Sequence, residues 1–292
     1  MTNSDATTPP NSPRPRVGRW AYGVLILSLL FVLMPFLFWR ATWFGRPLSN
    51  AQLADYLRPA SNPHDIQHAL SQVADRIIAG DASVKSFYPH VIALAANPHP
   101  EIRAMAAWTM GQDNHSAEFH SALAPMLADS DVNVRRNAAL ALVRFHDSAG
   151  HDVIVNMLRP TTINAPCAGT LRSRIKPGES INPGDLIARI EFIHIDFTQK
   201  VDVRSEIPGT FNRWLANDGA AVSAGQPVAN LLPSDDEVWE SLRALYLIGT
   251  PADLEAIAPY ARGLDGVSPK IAEQARQTMH QIRSRPATAD LR

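Results

Sequence analysis

The sequence is poor in cysteine and has no excess of charge of either sign. Cys167 is the single cysteine among 292 residues, so an intramolecular disulfide and a cysteine-cluster metal site are both excluded. With 27 basic and 28 acidic residues the formal net charge is -1. A general nucleic-acid binder needs a basic excess on some face, so we predict no nucleic-acid partner. The hydrophobic content of 46% still allows most of the chain to bury a core, which excludes wholesale disorder.

The motifs of several large enzyme classes are also absent. The chain contains no G-x-S-x-G, Walker or dinucleotide-binding fingerprint and no H-E-x-x-H pair. Three pairs of its ten histidines lie four or five residues apart, and no cysteine joins them as a further metal ligand; they are His64/His68, His115/His120 and His146/His151. A pair without a third ligand is weak evidence for a metal site. The sequence therefore predicts no catalytic residues, no cofactor and no metal.

One apolar run stands near the N-terminus, at residues 20–39, and it contains no charged residue. Its length suits a helix crossing about 30 Å of hydrocarbon, and tryptophans lie at both ends. No Ala-x-Ala pattern follows it, which favours an uncleaved anchor over a cleaved signal peptide. Three arginines precede the run and two follow it closely, which favours a cytoplasmic N-terminus by one arginine. We therefore predict a disordered cytoplasmic tail at residues 1–19 and a bacterial inner-membrane protein with its bulk in the periplasm, the inverted topology being the alternative.

Residues 49–160 show a helical period of 3.6 and an internal repeat. PEIRAMAAWTM from Pro100 aligns with VNVRRNAALAL from Val132, an offset of 32 residues that matches Arg103 with Arg135. SDVNVRRNAALALVRF resembles the second helix of a HEAT repeat. The resemblance implies that Arg103 and Arg135 bond a neighbouring turn and are structural. A fainter pattern at residues 236–284 predicts further HEAT-like helices, followed by a flexible tail at 285–292.

Between the helical parts, residues 161–235 change to alternating patterns rich in Gly and Pro, typical of strands and turns. This segment is itself duplicated, since three glycines of one half match three of the other: Gly169, Gly178 and Gly184 with Gly209, Gly219 and Gly225. The doubled pattern resembles the biotinyl/lipoyl-like barrel-sandwich hybrid. That fold occurs in lipoyl and biotin carriers and in HlyD-type periplasmic adaptors, also called membrane fusion proteins.

The carrier members of that family bear a modified lysine at the hairpin between the halves. The hairpin here reads IEFIHIDFTQKVDV, in which Lys200 is the lysine nearest the tip and follows Gln199. The resemblance retains an acidic residue, Glu191, but not the Asp-Lys-Ala or Met-Lys-Met context. We therefore interpret Lys200 as a surface residue and keep a carrier lysine as the alternative.

These patterns together predict an α+β multidomain chain: one transmembrane helix, then a HEAT-like α-solenoid interrupted by an all-β barrel-sandwich hybrid. Solenoids present extended binding surfaces. We expect a membrane-anchored scaffold or adaptor without catalytic activity, whose partners are proteins such as a transporter or envelope complex, and which could self-associate into a homo-oligomer. The alternative is a lipoyl- or biotin-type carrier that serves a membrane enzyme.

Overall fold

The computed structural model describes residues 19–41, 47–194, 197–263 and 267–285. It divides into two compact units, residues 1–48 and 49–292. Residues 1–18 of the predicted N-terminal tail and residues 286–292 of the predicted C-terminal tail lie outside the described residues. Arg285, which we had assigned to the flexible tail, donates hydrogen bonds to the carbonyl oxygens of Gly249 (2.5 Å) and Tyr246.

The first unit contains one described helix, α1 (Arg19–Ala41), which has Pro35 in its interior. Trp20 and the large apolar residues described along this helix are exposed. Across the described part of the chain, no helix meets the combined requirements of length and apolar character for crossing a bilayer. The prediction of a transmembrane helix at residues 20–39 is therefore not confirmed.

The second unit is built from helices on both sides of a β domain in the chain. The helices before the β domain are α2 (Asn50–Tyr56), α3 (Pro63–Ile78), α4 (Tyr88–Ala93), α5 (Pro100–Met110), α6 (Ala117–Met126), α7 (Val132–Arg144) and α8 (His151–Asn156). Those after it are α9 (Asp235–Ile248), α10 (Leu254–Ala261) and α11 (Pro269–Ser284). Short 3-10 helices at Ala82–Phe87, Leu94–Ala96 and Pro251–Asp253 complete the helical part.

Local capping fixes where these helices begin. Ser49 and Gln52 form a capping box at the start of α2. The Asp131 side chain accepts hydrogen bonds from the backbone N–H groups of Asn133 and Val134, at 2.8 and 3.1 Å. Ser234 and Glu237 form a second capping box at α9, immediately after the β domain. These caps satisfy N–H groups that have no partner inside their own helix.

The β domain is inserted between α8 and α9, two helices that form one pair. The helical stack therefore continues in the chain after the β domain. The α8 and α9 helices, which flank the β domain in sequence, pack against each other, and the Ser241 hydroxyl donates to the Ile154 carbonyl at 2.8 Å. The Tyr260 hydroxyl on α10 donates to the Leu158 carbonyl at 2.6 Å, and burial raises the pKa of Tyr260 to about 12. One buried cluster joins residues of α7 through α11. The helices on the two sides of the insertion therefore share one core.

The β domain consists of eight strands: β1 (Thr161–Asn164), β2 (Gly169–Ser173), β3 (Ser180–Ile181), β4 (Leu186–His194), β5 (Phe197–Arg204), β6 (Gly209–Trp214), β7 (Ala221–Val222) and β8 (Pro227–Leu232). They form two four-stranded antiparallel sheets, in the orders β1-β8-β6-β3 and β5-β4-β2-β7. Alternate residues of both sheets enclose a common core that includes Leu171, Ile190, Phe211 and Leu231. Cys167 and Trp214 pack against this core at partial burial.

The two sequence halves of the β domain exchange short strands. The β3 strand, from the first half, pairs with β6 of the second half, whereas β7 of the second half pairs with β2 of the first. Neither half therefore completes a sheet alone. The chain thus has the mixed helix-and-sheet architecture that the sequence predicts.

Candidate protein-interaction groove

Arg103 and Arg135 occupy equivalent places in two successive helical repeats. The Arg103 Nη1 donates to the carbonyl oxygens of Asn97 and Pro98, at 2.9 and 3.3 Å. The Arg135 Nη1 donates to the carbonyls of Asp129 and Ser130, at 2.7 and 2.9 Å. In both cases the acceptors lie six and five residues upstream. Each guanidinium thus stabilises the turn that precedes its own helix by donating to two of its carbonyl oxygens.

Arg103 additionally joins the two repeats. Its Nε and Nη2 donate to the two carboxylate oxygens of Asp129, both at 2.7 Å, and both side chains are largely buried. This hydrogen-bonded pairing holds the pKa of Asp129 below its usual value, even though partial burial acts in the opposite direction. Such a bidentate pair fixes geometry as well as charge. Both arginines therefore make hydrogen bonds that hold the helical repeats together.

A second set of contacts recurs along the stack and crosses the inserted β domain. A side chain on the first helix of each pair bonds an aspartate in the segment that follows the second helix. These contacts are Tyr88 to Asp113 (2.7 Å), His120 to Asp147 (2.8 Å) and His151 to Asp253 (2.8 Å). The third contact spans 102 residues of sequence. The helix pair that contains the insertion therefore keeps the repeat's own bonding pattern.

These contacts account for two of the histidines that the sequence had paired as possible metal ligands. His120 and His151 each face an aspartate of another element instead of the histidine nearest in sequence. His68 lies 3.1 Å from the Gln72 amide nitrogen. Within the described ranges, no group of three or more metal-ligating side chains comes together.

The six matched glycines of the β domain fall into two structural kinds. Gly169 and Gly209 lie where strands approach closely, because an added Cβ would come within 2.5 Å of the Glu191 carbonyl oxygen and 2.6 Å of the Leu232 carbonyl oxygen. The others occupy turns with φ between 76° and 90°, which favour glycine; they are Gly178, Gly184, Gly219 and Gly225. The glycines thus shape the backbone.

Lys200 lies inside a strand and not at the tip of the hairpin. In the β4–β5 register it is paired with Glu191, whereas the last pair before the turn is His194 with Phe197. The Lys200 Nζ lies 3.1 Å from one Glu191 oxygen, and the Arg172 Nε donates to the other at 2.8 Å. These two cations, Arg172 foremost, lower the pKa of Glu191. Lys200 therefore belongs to a charge cluster on the sheet surface.

An open groove of about 890 Å³ runs along the second helices of the repeats. Four helices line it: α5, α7, α9 and α11. Its apolar part includes Trp108, Leu140, Tyr246 and Leu247. The exposed fractions of Trp108, Tyr246 and Leu247 are 42%, 38% and 52%, so three large apolar side chains face solvent in one concave place.

The groove also carries polar groups with free hydrogen-bonding capacity. The side-chain NH₂ groups of Asn137, Gln274 and Gln277 donate to neighbours on their own helices. Among the described residues, their side-chain carbonyl oxygens and the Trp108 Nε1 have no hydrogen-bond partner. An extended peptide backbone presents N–H and C=O groups that match such acceptors and donors. The groove therefore combines apolar anchoring surface with sequence-independent hydrogen bonding.

The groove residues were missed at the sequence level. Trp108, Tyr246 and Leu247 occur in helices whose apolar residues mostly face the core, and their spacing does not separate a core face from a groove face. The face is formed only when α5, α7, α9 and α11 stack. The 32-residue repeat offered the one available signal, since it implies that equivalent helices stand side by side.

Comparison with known proteins supports the helical repeats. Residues 88–162 match the family model described as HEAT repeats, which covers α4 to α8 and the start of β1. HEAT repeats are thus confirmed in this minor part of the chain. No curated protein matches the sequence.

Among solved structures, one match is titled "Structure and function of a single-chain, multi-domain long-chain acyl-CoA carboxylase". It is 20% identical, covers 49% of this chain and 14% of the other, and has a TM-score of 0.23. The chain thus corresponds to a small part of that protein's length. A likeness at this level carries no argument about the fold or the function.

Proposed function

We propose that this protein is a non-catalytic scaffold that holds a segment of a partner protein in the groove between Trp108 and Leu247. The observation that carries the proposal is the clustering of exposed apolar side chains and unpaired amide oxygens on the stacked second helices. The HEAT-repeat match supports it, because such solenoids bind proteins along extended surfaces.

The expected ligand is an extended peptide with one or two apolar anchor residues. Trp108, Tyr246 and Leu247 would provide most of the binding energy, because aromatic residues dominate the binding energy of many interfaces. The charges at the rim are mixed, since Arg243 is 3.6 Å from Glu240 and Arg144 donates to Gln112 at 3.0 Å. Rim charges of this kind change association rates more than affinity.

The test is a peptide-library selection against the full chain, followed by affinity measurements on groove variants. Trp108→Ala and Tyr246→Ala should each weaken the selected peptides about tenfold or more, in the range of interface hot spots. Ile78→Ala and Leu215→Ala are the matched controls, because both residues are exposed and apolar but lie outside the groove. Peptides that bind all four variants equally would contradict the proposal.

The β domain is proposed to be a barrel-sandwich hybrid that acts as a rigid module and not as a carrier. The two interlocked four-stranded sheets support the fold, and the placement of Lys200 in mid-strand, bonded to Glu191, supports the non-carrier role. The intact mass of protein purified from its own cells tests this. A mass increase located on Lys200 would favour the carrier alternative.

The location is a separate proposal that rests on the sequence. The charge-free residues 20–39 and the flanking arginines support a single-pass inner-membrane protein with a periplasmic bulk, where a transporter or envelope complex would be the partner. Fusion of a periplasm-active phosphatase and of a cytoplasm-fluorescent protein after Arg292 tests it. Phosphatase activity without fluorescence is expected, and fluorescence alone would overturn the orientation.

A further inference from the structure

A second open cleft, which we call the junction cleft, lies where α7 meets the β domain. Its volume is about 610 Å³, which is within the range of ligand-binding sites. The first turns of α7 line it, together with β1, the end of β5 and the turn that follows β5. Its charged side chains are those of Arg135, Arg136, Asp202, Arg204 and Glu206.

Two neighbouring arginines of α7 line this cleft with unused hydrogen-bond donors. Arg136 bonds Glu237 through its Nη1 alone. Arg135 also uses only its Nη1, which donates to the carbonyl oxygens of Asp129 and Ser130. Within the described ranges, the Nε and Nη2 groups of both arginines have no hydrogen-bond partner. Because Nε and Nη2 of a guanidinium form a fork that matches the two oxygens of a carboxylate, the cleft holds two unused carboxylate-binding forks.

The buried charge of Arg136 is only partly balanced. Arg136 is 9% exposed, and the second carboxylate oxygen of its partner Glu237 accepts a hydrogen bond from the Ser234 N–H at 3.3 Å. Burial, together with the positive charge of Arg135, lowers the pKa of Arg136, whereas the charge of Glu237 acts in the opposite direction. A carboxylate between the two guanidiniums would therefore be attracted by both and would offset their mutual repulsion.

The acidic side chains of the junction cleft belong to the β domain and leave these donors unused. Asp202 accepts hydrogen bonds from Arg189 at 2.8 Å and from Arg204 at 2.7 Å. Glu206 is exposed in the turn after β5 and forms no ion pair with either arginine of α7. Three arginines and two acids line the cleft, so its lining keeps one net positive charge.

The β5 wall of the cleft is a free strand edge. In the described part of the chain, β5 is the outermost strand of its sheet and pairs only with β4. The Ser205 N–H donates to the Asp185 carbonyl at 3.0 Å, and the Ser205 carbonyl accepts from the Gly184 N–H at 2.7 Å. Because backbone groups alternate in direction along an antiparallel strand, the N–H and C=O groups of Asp202 and Arg204 point away from β4. Such an edge can pair with a further strand.

We propose that the junction cleft binds an extended acidic segment of a partner protein. The backbone of the segment adds to the free edge of β5, and one of its Asp or Glu side chains bonds Arg135 and Arg136. In strand addition, main-chain hydrogen bonds provide affinity and the side chains beside the edge provide specificity. The junction cleft shares no lining residue with the groove, so the scaffold would hold two different segments at once.

Selection of short displayed peptides against the full chain, in a mild non-ionic detergent, provides the probes. The selecting protein carries Trp108→Ala and Tyr246→Ala, so that peptides for the groove are not enriched. We expect peptides with a recurring Asp or Glu. Their Asn or Gln forms should bind about tenfold more weakly, because a charge-assisted pair is lost. Peptides without a recurring acid, or a selection that yields no peptide, would overturn the proposal.

The arginine contact is tested by Arg136→Met with Glu237→Leu. This variant removes one guanidinium without leaving an unpaired buried charge, so it should fold, as thermal melting checks. The acidic peptide should then lose most of its advantage over its amide form. Arg58→Met with Asp55→Leu is the matched control, because it removes an exposed ion pair outside the cleft, and there the advantage should persist. An advantage of the same size in both variants would contradict the proposal.

The strand addition is tested by Asp202→Pro. Proline removes the N–H that points away from β4 and keeps the ladder to β4 intact, as edge strands allow. Asp202→Ala is the matched control, because it removes the same carboxylate but keeps the N–H. The peptide should bind Asp202→Pro about fivefold more weakly than Asp202→Ala, which corresponds to one hydrogen bond. Equal affinities would overturn the proposal.

Discussion

The helical region and the β domain are both built by duplication, yet they use their repeats in different ways. In the helical region each repeat stacks on the next, and equivalent residues such as Arg103 and Arg135 make equivalent bonds in series. In the β domain the halves exchange strands, so Gly209 in the second half is paired with Ile181 in the first. Stacked repeats can be interrupted without losing their pattern, because each contacts only its neighbours. Interlocked halves cannot, because each completes the other's sheet.

The largest effect should come from the ion pair that joins α7 to α9 across the insertion. Arg136 and Glu237 are both about nine-tenths buried. Burial lowers the pKa of Arg136 and raises that of Glu237. Glu237→Gln should keep the α9 cap but leave Arg136 as an unpaired buried cation, which costs about 3–5 kcal/mol of unfolding free energy. Urea denaturation measures the loss.

Glu240→Gln is the matched control for that prediction. Glu240 is one turn further along α9 and forms an exposed pair with Arg243, so its loss should cost under about 0.5 kcal/mol. Replacing both buried partners, by Arg136→Met with Glu237→Leu, should recover most of the stability. Equal effects of Glu237→Gln and Glu240→Gln would show that the helical stack is not held together through this pair.

A smaller loss is expected where the halves of the β domain interlock. The Cβ of Gly209→Ala would lie 2.6 Å from the Leu232 carbonyl oxygen, so β6 must move away from β8. We expect about 1–3 kcal/mol of destabilisation, as for other overpacked sites. Thr210→Ala on the same strand should cost less, because it removes atoms and adds none. Hydrogen exchange that rises in both sheets together would confirm interlocking, whereas a rise in one sheet alone would argue against it.

The third prediction concerns pH and the contact between His151 and Asp253. Burial opposes the charged imidazole, but the hydrogen bond and the charge of Asp253 raise the pKa of His151 above 6.5 overall. A raised folded-state pKa means that this stabilisation is complete below about pH 6.5 and is lost as the pH rises through the folded pKa. We expect about 1–2 kcal/mol. His151→Gln should flatten the curve of stability against pH in this window, and an unchanged curve would contradict the prediction.

The smallest effect should be that of Lys200→Ala. Lys200 is about half exposed, and Arg172 remains to bond Glu191. A surface pair of this kind contributes about 0–1 kcal/mol, so the midpoint of urea unfolding should hardly move. A loss above 2 kcal/mol would mean that the sheet surface depends on Lys200 as strongly as the helical stack depends on Arg136.

What the sequence determined by itself was the local and repetitive part of the structure. The alignment of Arg103 with Arg135 and the turn glycines of the β domain depend on neighbours a few residues away, so periodicity and residue type predicted them. The long apolar run at residues 20–39 was also a local signal. The structure does not confirm the transmembrane helix that this run predicts, because no described helix meets the requirements of length and apolar character for a membrane span.

Only the tertiary structure decided which distant elements meet. The groove requires α5 and α7 to lie beside α9 and α11, which are separated from them by the whole β domain in sequence. His151 meets Asp253 over 102 residues. Such contacts follow from burying shared apolar surface, which has no direction along the chain. A single sequence therefore predicted the repeats but not the surface that they form together.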